Sequence, residues 1–212
     1  MTTGAHRSTP LGGEILKPLR FDAIVLAAGA GTRFGGGKLL APWRRGLLIE
    51  AALDAACAAP ACSVILVTGA DAGVMPVALE WAMTEGETER VRTIHAPNYS
   101  EGMGASLRAG IAALPTDSSG AFVFLGDMPR IPHAILPRLA AAIAGGAVAA
   151  APVCQGRRGH PALLGAALFP ALRNLKGDEG ARAVLHGLGD RLVLVPTDDD
   201  GVLFDVDTPE QL

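Results

Sequence analysis

Short β-type runs recur along the chain, separated by longer segments rich in Ala, Leu and Glu. The runs are FDAIVLAA, SVILVTG, VRTIHAP, GAFVFLGD, AVAAAPV and RLVLVP, beginning at Phe21, Ser63, Val91, Gly120, Ala147 and Arg191. Between them, Leu47–Ala59, Val74–Thr84, Met103–Leu114 and Ala134–Ala144 predict helices. Strand and helix in alternation predict an α/β fold, with a mostly parallel sheet covered by helices on both faces. The alanine-rich, uncharged stretch Leu139–Cys154 is interrupted by Gly145, Gly146 and Pro152. It is shorter than the roughly 18 residues of a membrane span and predicts a buried helix followed by a strand.

In such sheets ligands sit beyond the carboxyl ends of the strands. The segments placed there are LAAGAGTR, VTGAD, HAPNYSEGMGAS and LGDMPR. Gly, Arg and Pro thicken in CQGRRGHPALLG, which predicts an irregular excursion. Composition then narrows the classes. A chain of 212 residues, 50% hydrophobic, can bury a sizeable core, read here as one domain over residues 21–212. Its net charge of −3 gives no electrostatic footprint for nucleic acid or for an anionic membrane surface. Residues 1–20 lack the continuous apolar region of a secretory signal and read as a flexible tail. Cys57, Cys62 and Cys154 have no metal-type spacing and read as reduced, buried thiols of a cytoplasmic protein.

The first strand end carries the densest chemistry. In LAAGAGTRFGGGKLLAP, residues 26–42, glycines surround Arg33 and precede Lys38. A glycine-rich turn between strand and helix lets backbone N–H groups crowd around an anion such as a phosphate chain. Two familiar templates fail on register. A Walker A loop requires Gly where Thr32 stands and Ser or Thr where Leu39 follows Lys38. A dinucleotide fingerprint fails at Phe34, where its third Gly belongs, and no acid closes SVILVTG. What remains is a phosphate loop with two cations and carboxylates supplied from elsewhere. Asp127 ends GAFVFLGD, and Asp205 and Asp207 are placed at the end of a further strand in LFDVDTPEQL. Magnesium takes one or two carboxylates plus phosphate oxygens and water, so this donor set suits Mg2+. The alternative for Asp127 is a turn-forming residue before Met128 and Pro129.

The ordered series LAAGAGTRFGGGK, GMGASLRAG, GDMP, GHPALL, GDEGAR and DVDTPEQL resembles the MobA-like nucleotidyltransferase family, and within it the molybdenum cofactor cytidylyltransferases. The resemblance implies a Rossmann-like three-layer sandwich of the nucleotide-diphospho-sugar transferase type. It also implies transfer of CMP from CTP to molybdopterin with release of pyrophosphate. By the same resemblance, the backbone of Ala27, Ala28, Gly29, Ala30 and Gly31 cradles the triphosphate, with Arg33 on its distal phosphates and Lys38 on the α-phosphate. Asp127 and Asp207 hold the metal, with Asp205 as a weaker candidate. Thr68, Gly69, Gly102, Gly104 and Ser106 contact the nucleotide. On the acceptor side stand His160 and Arg182, the latter in GDEGAR. The alternative for His160 is a structural turn residue before Pro161, and Arg157 and Arg158 either face an anionic acceptor or are solvated surface charge. A molybdenum hydroxylase apoenzyme is the implied recipient of the product. The LAAG form of the loop, where the guanylyl branch reads LAGG, places the Ala28 β-carbon near the base and implies CTP over GTP.

The competing readings are a nucleotidyltransferase acting on another phosphorylated acceptor or using GTP, an NAD(P)-dependent oxidoreductase, and a non-catalytic module that hands on a cofactor. The failed glycine register counts against the oxidoreductase. Arg33, Lys38, Asp127 and Asp207 together count against a mere binder, which needs no such arrangement at an α-phosphate. Trp43 and Trp81 read as packing residues, and His6, His95, His133 and His186 show no partnered spacing.

Overall fold

The computed structural model describes residues 18–175 and 184–212. Its first strand, β1 (Phe21–Ala27), is buried along its whole length. After the glycine loop comes a small hairpin, β2 (Pro42–Trp43) and β3 (Gly46–Leu47), which turns through Arg44 at φ 54°. Helix α1 (Leu48–Cys57) follows, and the Glu50 carboxylate accepts from the Leu47 N–H at its start (2.8 Å). Strand β4 (Val64–Thr68), helix α2 (Val74–Thr84), strand β5 (Val91–His95), helix α3 (Met103–Ala112), strand β6 (Gly120–Leu125) and helix α4 (Leu136–Ala144) continue the alternation. Next come β7 (Ala149–Cys154), the short β8 (Arg157–Arg158), β9 (Ala162–Gly165), a single turn α5 (Phe169–Leu172) and β10 (Leu192–Pro196).

Among the described residues the main sheet runs β10-β7-β9-β6-β1-β4-β5, with β8 attached to β7. Strands β5, β4, β1 and β6 are parallel neighbours, as are β7 and β10. Strand β9 lies antiparallel to both β6 and β7, so the sheet is mixed but mostly parallel. The six strands and four helices predicted up to residue 196 are all present. The excursion expected at 154–165 instead contributes β8 and β9 to the sheet, and its ALLG segment is fully buried. Alternate residues of the central strands feed two cores. Ala23, Val25, Leu66, Phe122 and Phe124 meet α1, α2 and α4 on one side, and Ile24, Leu26, Ile65 and Val67 meet α3 and α5 on the other. Each such large side chain contributes about 1.5–3 kcal/mol on burial, which makes the sheet a rigid platform for its loops.

Arg20, expected in the tail, exchanges hydrogen bonds with Ser119, donating to its Oγ (3.2 Å) and accepting from its N–H (2.7 Å). Cys154 is buried and Cys57 half-buried, its thiol pushed up to about 11 by desolvation and then by the Glu87 charge, whereas Cys62 is exposed. Among the described residues no helix is long and apolar enough to cross a membrane.

Candidate functional site

The loop after β1 is shaped by glycines at two decisive places. Gly31 has φ 58°, and a β-carbon there would stand 3.0 Å from the Lys38 β-carbon, so a side chain would combine left-handed backbone strain with a tight contact where the loop folds back on Lys38. Gly37, at φ 63°, then turns the chain into the short turn Lys38–Leu40. Leu39 is buried in the core while Lys38 projects from the same turn into the site. Among the described residues, the Gly29, Ala30 and Gly31 N–H groups donate no hydrogen bond. Successive unengaged backbone N–H groups of this kind form an anion-binding concavity.

Lys38 is the centre of the electrostatics. Its side chain is only 11% exposed, and its Nζ donates to Asp127 Oδ2 at 2.7 Å and to Asp207 Oδ1 at 3.4 Å. Asp127 follows β6 and is held from both sides, because the Gly126 N–H donates to the Leu26 carbonyl (2.9 Å) and Met128 is buried. Asp207 arrives differently. The expected strand in LFDVDTPEQL does not form. A short turn, Asp200–Leu203, leads instead into an extended strap whose Val206 is fully buried and donates its N–H to the Asp127 carbonyl (3.0 Å). The alternation of LFDVD imitates a strand, yet this hydrogen bond goes to a turn and not to a ladder. Arg33, 82% exposed, reaches Asp207 Oδ2 at 3.6 Å. Burial, and then the charges of Asp207 and Asp127, push the Asp205 carboxyl above the usual carboxylate range.

A cavity of about 360 Å³ opens between these groups and the ends of β1, β4, β5 and β6. It gathers Ala27, Ala28, Gly29, Ala30, Gly31, Lys38, Gly102, Ser106 and Asp127 from the sequence-predicted set. A smaller space of about 280 Å³ continues it past Arg33 to Asp207. Asp71, Tyr99 and Met103 also line the main cavity. They lie in the strand-end segments VTGAD and HAPNYSEGMGAS, but nothing in residue type singled them out.

Other expected residues stand elsewhere. Thr68 is buried and donates its Oγ1 to the Ile94 carbonyl (3.1 Å), and Gly104 is buried within α3. Gly69 serves packing: a β-carbon there would lie 2.6 Å from the Ala28 carbonyl and 2.7 Å from the Ala28 methyl. The methyl thus packs against Gly69, while Ala28 also lines the main cavity. His160 donates its N–H to the Val202 carbonyl (2.8 Å), beside the strap, and lines neither space. Arg157 and Arg158 form β8. Arg182 and GDEGAR lie outside the described residues. Trp43, Trp81 and His133 border a separate polar cavity of about 670 Å³, where His133 Nε2 approaches Asp54 Oδ2 at 3.4 Å.

Residues 23–192 match the family described as the MobA-like NTP transferase domain. Nicotine blue oxidoreductase of Paenarthrobacter nicotinovorans is 32% identical over 197 residues, covering 89% of this chain and 93% of that protein. Molybdenum cofactor cytidylyltransferase of Escherichia coli K12 is 28% identical over 191 residues, covering 89% and 92%. Among solved structures, Rv0371c from Mycobacterium tuberculosis H37Rv superposes with a TM-score of 0.75 at 28% identity, over 92% of this chain and 96% of that one. Its complex with manganese gives 0.68 at 26% identity, over 86% and 90%. Because the family match runs from within β1 to the first residue of β10 and takes in every segment lining the main cavity, the chain belongs to the MobA-like NTP transferase family, nucleotidyltransferases of the nucleotide-diphospho-sugar transferase fold.

Proposed function

We propose that the protein transfers CMP from CTP to molybdopterin with release of pyrophosphate, in a reaction that depends on Mg2+. The observation that carries this reading is the Lys38 ammonium, shared by Asp127 and Asp207 at the mouth of the glycine loop. Attack on an α-phosphate needs no side-chain nucleophile, because a phosphate of the acceptor attacks in line and catalysis consists of positioning and charge neutralisation. In this reading the N–H groups of Gly29, Ala30 and Gly31 take phosphate oxygens, Arg33 meets the distal phosphates, and Lys38 neutralises charge at the α-phosphate.

The donor chemistry fits a hard divalent cation. Two carboxylates converge on one point already occupied by positive charge, and among the described residues no group of three or more His, Cys, Asp or Glu side chains gathers as a metal site. A cation held by Asp127 and Asp207 would therefore complete its shell with phosphate oxygens and water, as magnesium does. When bound, it supplies further neutralisation of the phosphate charge. The manganese complex of Rv0371c supports a divalent ion. The choice of CTP and molybdopterin is supported by the name of the E. coli relative and by the LAAG form of the loop. A molybdenum hydroxylase apoenzyme as recipient, and a cytoplasmic location, follow from the same reading.

The 32% identity to nicotine blue oxidoreductase favours a second reading, hydride transfer from a nicotinamide cofactor. One pair of assays separates the two. Purified protein with CTP, Mg2+ and molybdopterin is expected to release pyrophosphate, and the same protein with NADH or NADPH and a reducible dye is expected to consume no cofactor. Cofactor oxidation without pyrophosphate release would overturn the proposal and establish the second reading.

A further inference from the structure

The strap that carries Asp207 has no ladder to hold it, yet it lies within reach of the largely covered Lys38. Its fixings are side chains outside both spaces of the site. The Arg130 guanidinium lies 4.6 Å over the Phe204 ring centroid and donates from Nη2 to Asp200 Oδ1 at 2.7 Å. The Arg130 carbonyl lies so close to Gly201 that a β-carbon at Gly201 would overlap it. The Phe204 ring also meets Trp43, with centroids 5.9 Å apart. Further along, Gln211 Oε1 accepts from the Asp207 N–H (2.6 Å) and the Thr208 N–H (2.8 Å). The loop that follows Asp127 thus reaches across to grip the segment that delivers Asp207.

We infer that Arg130 and Phe204 are positioning residues: the stacked pair fixes the strap so that the Asp207 carboxylate stands beside Lys38 and Asp127. Neither residue lines the cavity at the glycine loop or the space past Arg33, so neither touches the reacting groups. The inference rests on the reading of Asp207 as a metal-holding carboxylate. Its physical content is a population. If the strap occupies the gripping position only a tenth of the time, apparent affinity for the ion falls about tenfold, with no change in the ligands themselves.

The test uses the whole chain with Arg130→Met and Phe204→Leu, Arg130→Lys as the conservative variant that keeps a cation over the ring, and Asp200→Asn as a milder change that removes only the ion pair. The first readout needs no substrate: exchange of the Val206 amide proton by NMR, with the β1 and β6 amides as internal reference. Arg130→Met and Phe204→Leu are expected to speed Val206 exchange at least tenfold while the β1 and β6 amides keep their protection. Arg130→Lys and Asp200→Asn should fall between these variants and wild type. The second readout is pyrophosphate release against Mg2+ concentration. Half-saturation is expected to rise about tenfold, with the rate at saturating Mg2+ and the KM for CTP each within about twofold of wild type.

Unchanged Val206 exchange in both Arg130→Met and Phe204→Leu would overturn the inference. So would a lower rate at an unchanged Mg2+ midpoint, the result of a merely destabilised fold. If wild type released no pyrophosphate at all, the proposed function would fall while the exchange measurement still decided whether the grip exists.

Discussion

Asp127 and Asp207 meet the same ammonium, but the chain delivers them in different ways. Asp127 stands one turn beyond a strand whose Phe122 and Phe124 are fully buried, and its neighbours Gly126 and Met128 are each tied into the core. Its side chain is 27% exposed. Asp207 stands on a strap without a ladder, fixed by the buried Val206, by the Arg130–Phe204 stack and by Gln211, and its side chain is 44% exposed. A group carried by the sheet inherits the rigidity of the core. A group carried by the strap is only as fixed as a few long-range contacts make it, and loss of any of them acts through geometry while the fold stays intact.

The largest effect should come from removing what the two regions share. Lys38→Ala leaves two carboxylates facing each other across the phosphate loop and takes away a preorganised donor, a loss of about 10² to 10³ in turnover. Because Lys38 adds charge to the site while its neighbour Leu39 packs the core, circular dichroism and thermal melting should report a folded protein. A variant within threefold of wild type would show that the two halves do not cooperate at a phosphate.

The two carboxylates themselves should then separate. Asp127→Asn keeps the shape but removes the better-held charge, and it is expected to lower Mg2+-dependent turnover by at least tenfold more than Asp207→Asn. Steady-state assays across a Mg2+ series check this. Equal losses would mean that the strap is as rigid as the sheet. Next in size is Arg33→Ala. Arg33 is 82% exposed and pairs with Asp207 at 3.6 Å, and such exposed pairs contribute about 0 to 1 kcal/mol when free. Its cost should therefore appear in the KM for CTP, where it engages phosphate, with little change in melting temperature.

The parts of this site legible in the sequence are those the sheet carries. A buried run followed by Gly and a charged residue announces both the loop after β1 and the turn at Asp127, since a strand covered on both faces must end where polar groups can reach solvent. The strap was misread because LFDVD has the period of a strand, and only long-range contacts reveal that its N–H bonds to a turn instead. Strand β9 is hidden for the opposite reason: three apolar residues among Gly, Arg and Pro give too short a period to recognise. Tyr99, Asp71 and Met103 enter the cavity through the way β4, β5 and α3 are stacked, which no local pattern encodes.

The smallest predicted effect tests the sheet side alone. The Ala28 methyl packs on Gly69, whose own neighbour is Tyr99, so Ala28→Gly should loosen the wall of the cavity without removing a contact to the base. A single methyl is worth about 1 to 3 kcal/mol when it contacts a ligand directly, and the indirect arrangement places the change at the low end or below. The ratio of kcat/KM for CTP over GTP is expected to fall less than about tenfold. A complete reversal would put the methyl against the base after all.

In the proposed reaction Lys38, Asp127 and Asp207 together serve metal-dependent attack at an α-phosphate. The most direct measurement is pyrophosphate release from CTP in the presence of molybdopterin, with Mg2+ and with chelator, for wild type and Asp127→Asn side by side. Wild type is expected to release pyrophosphate and chelation to abolish that release, while Asp127→Asn is expected to release at least a hundredfold less at the same Mg2+ concentration. Equal release by the two proteins, or release by wild type that survives chelation, would contradict the proposed reaction.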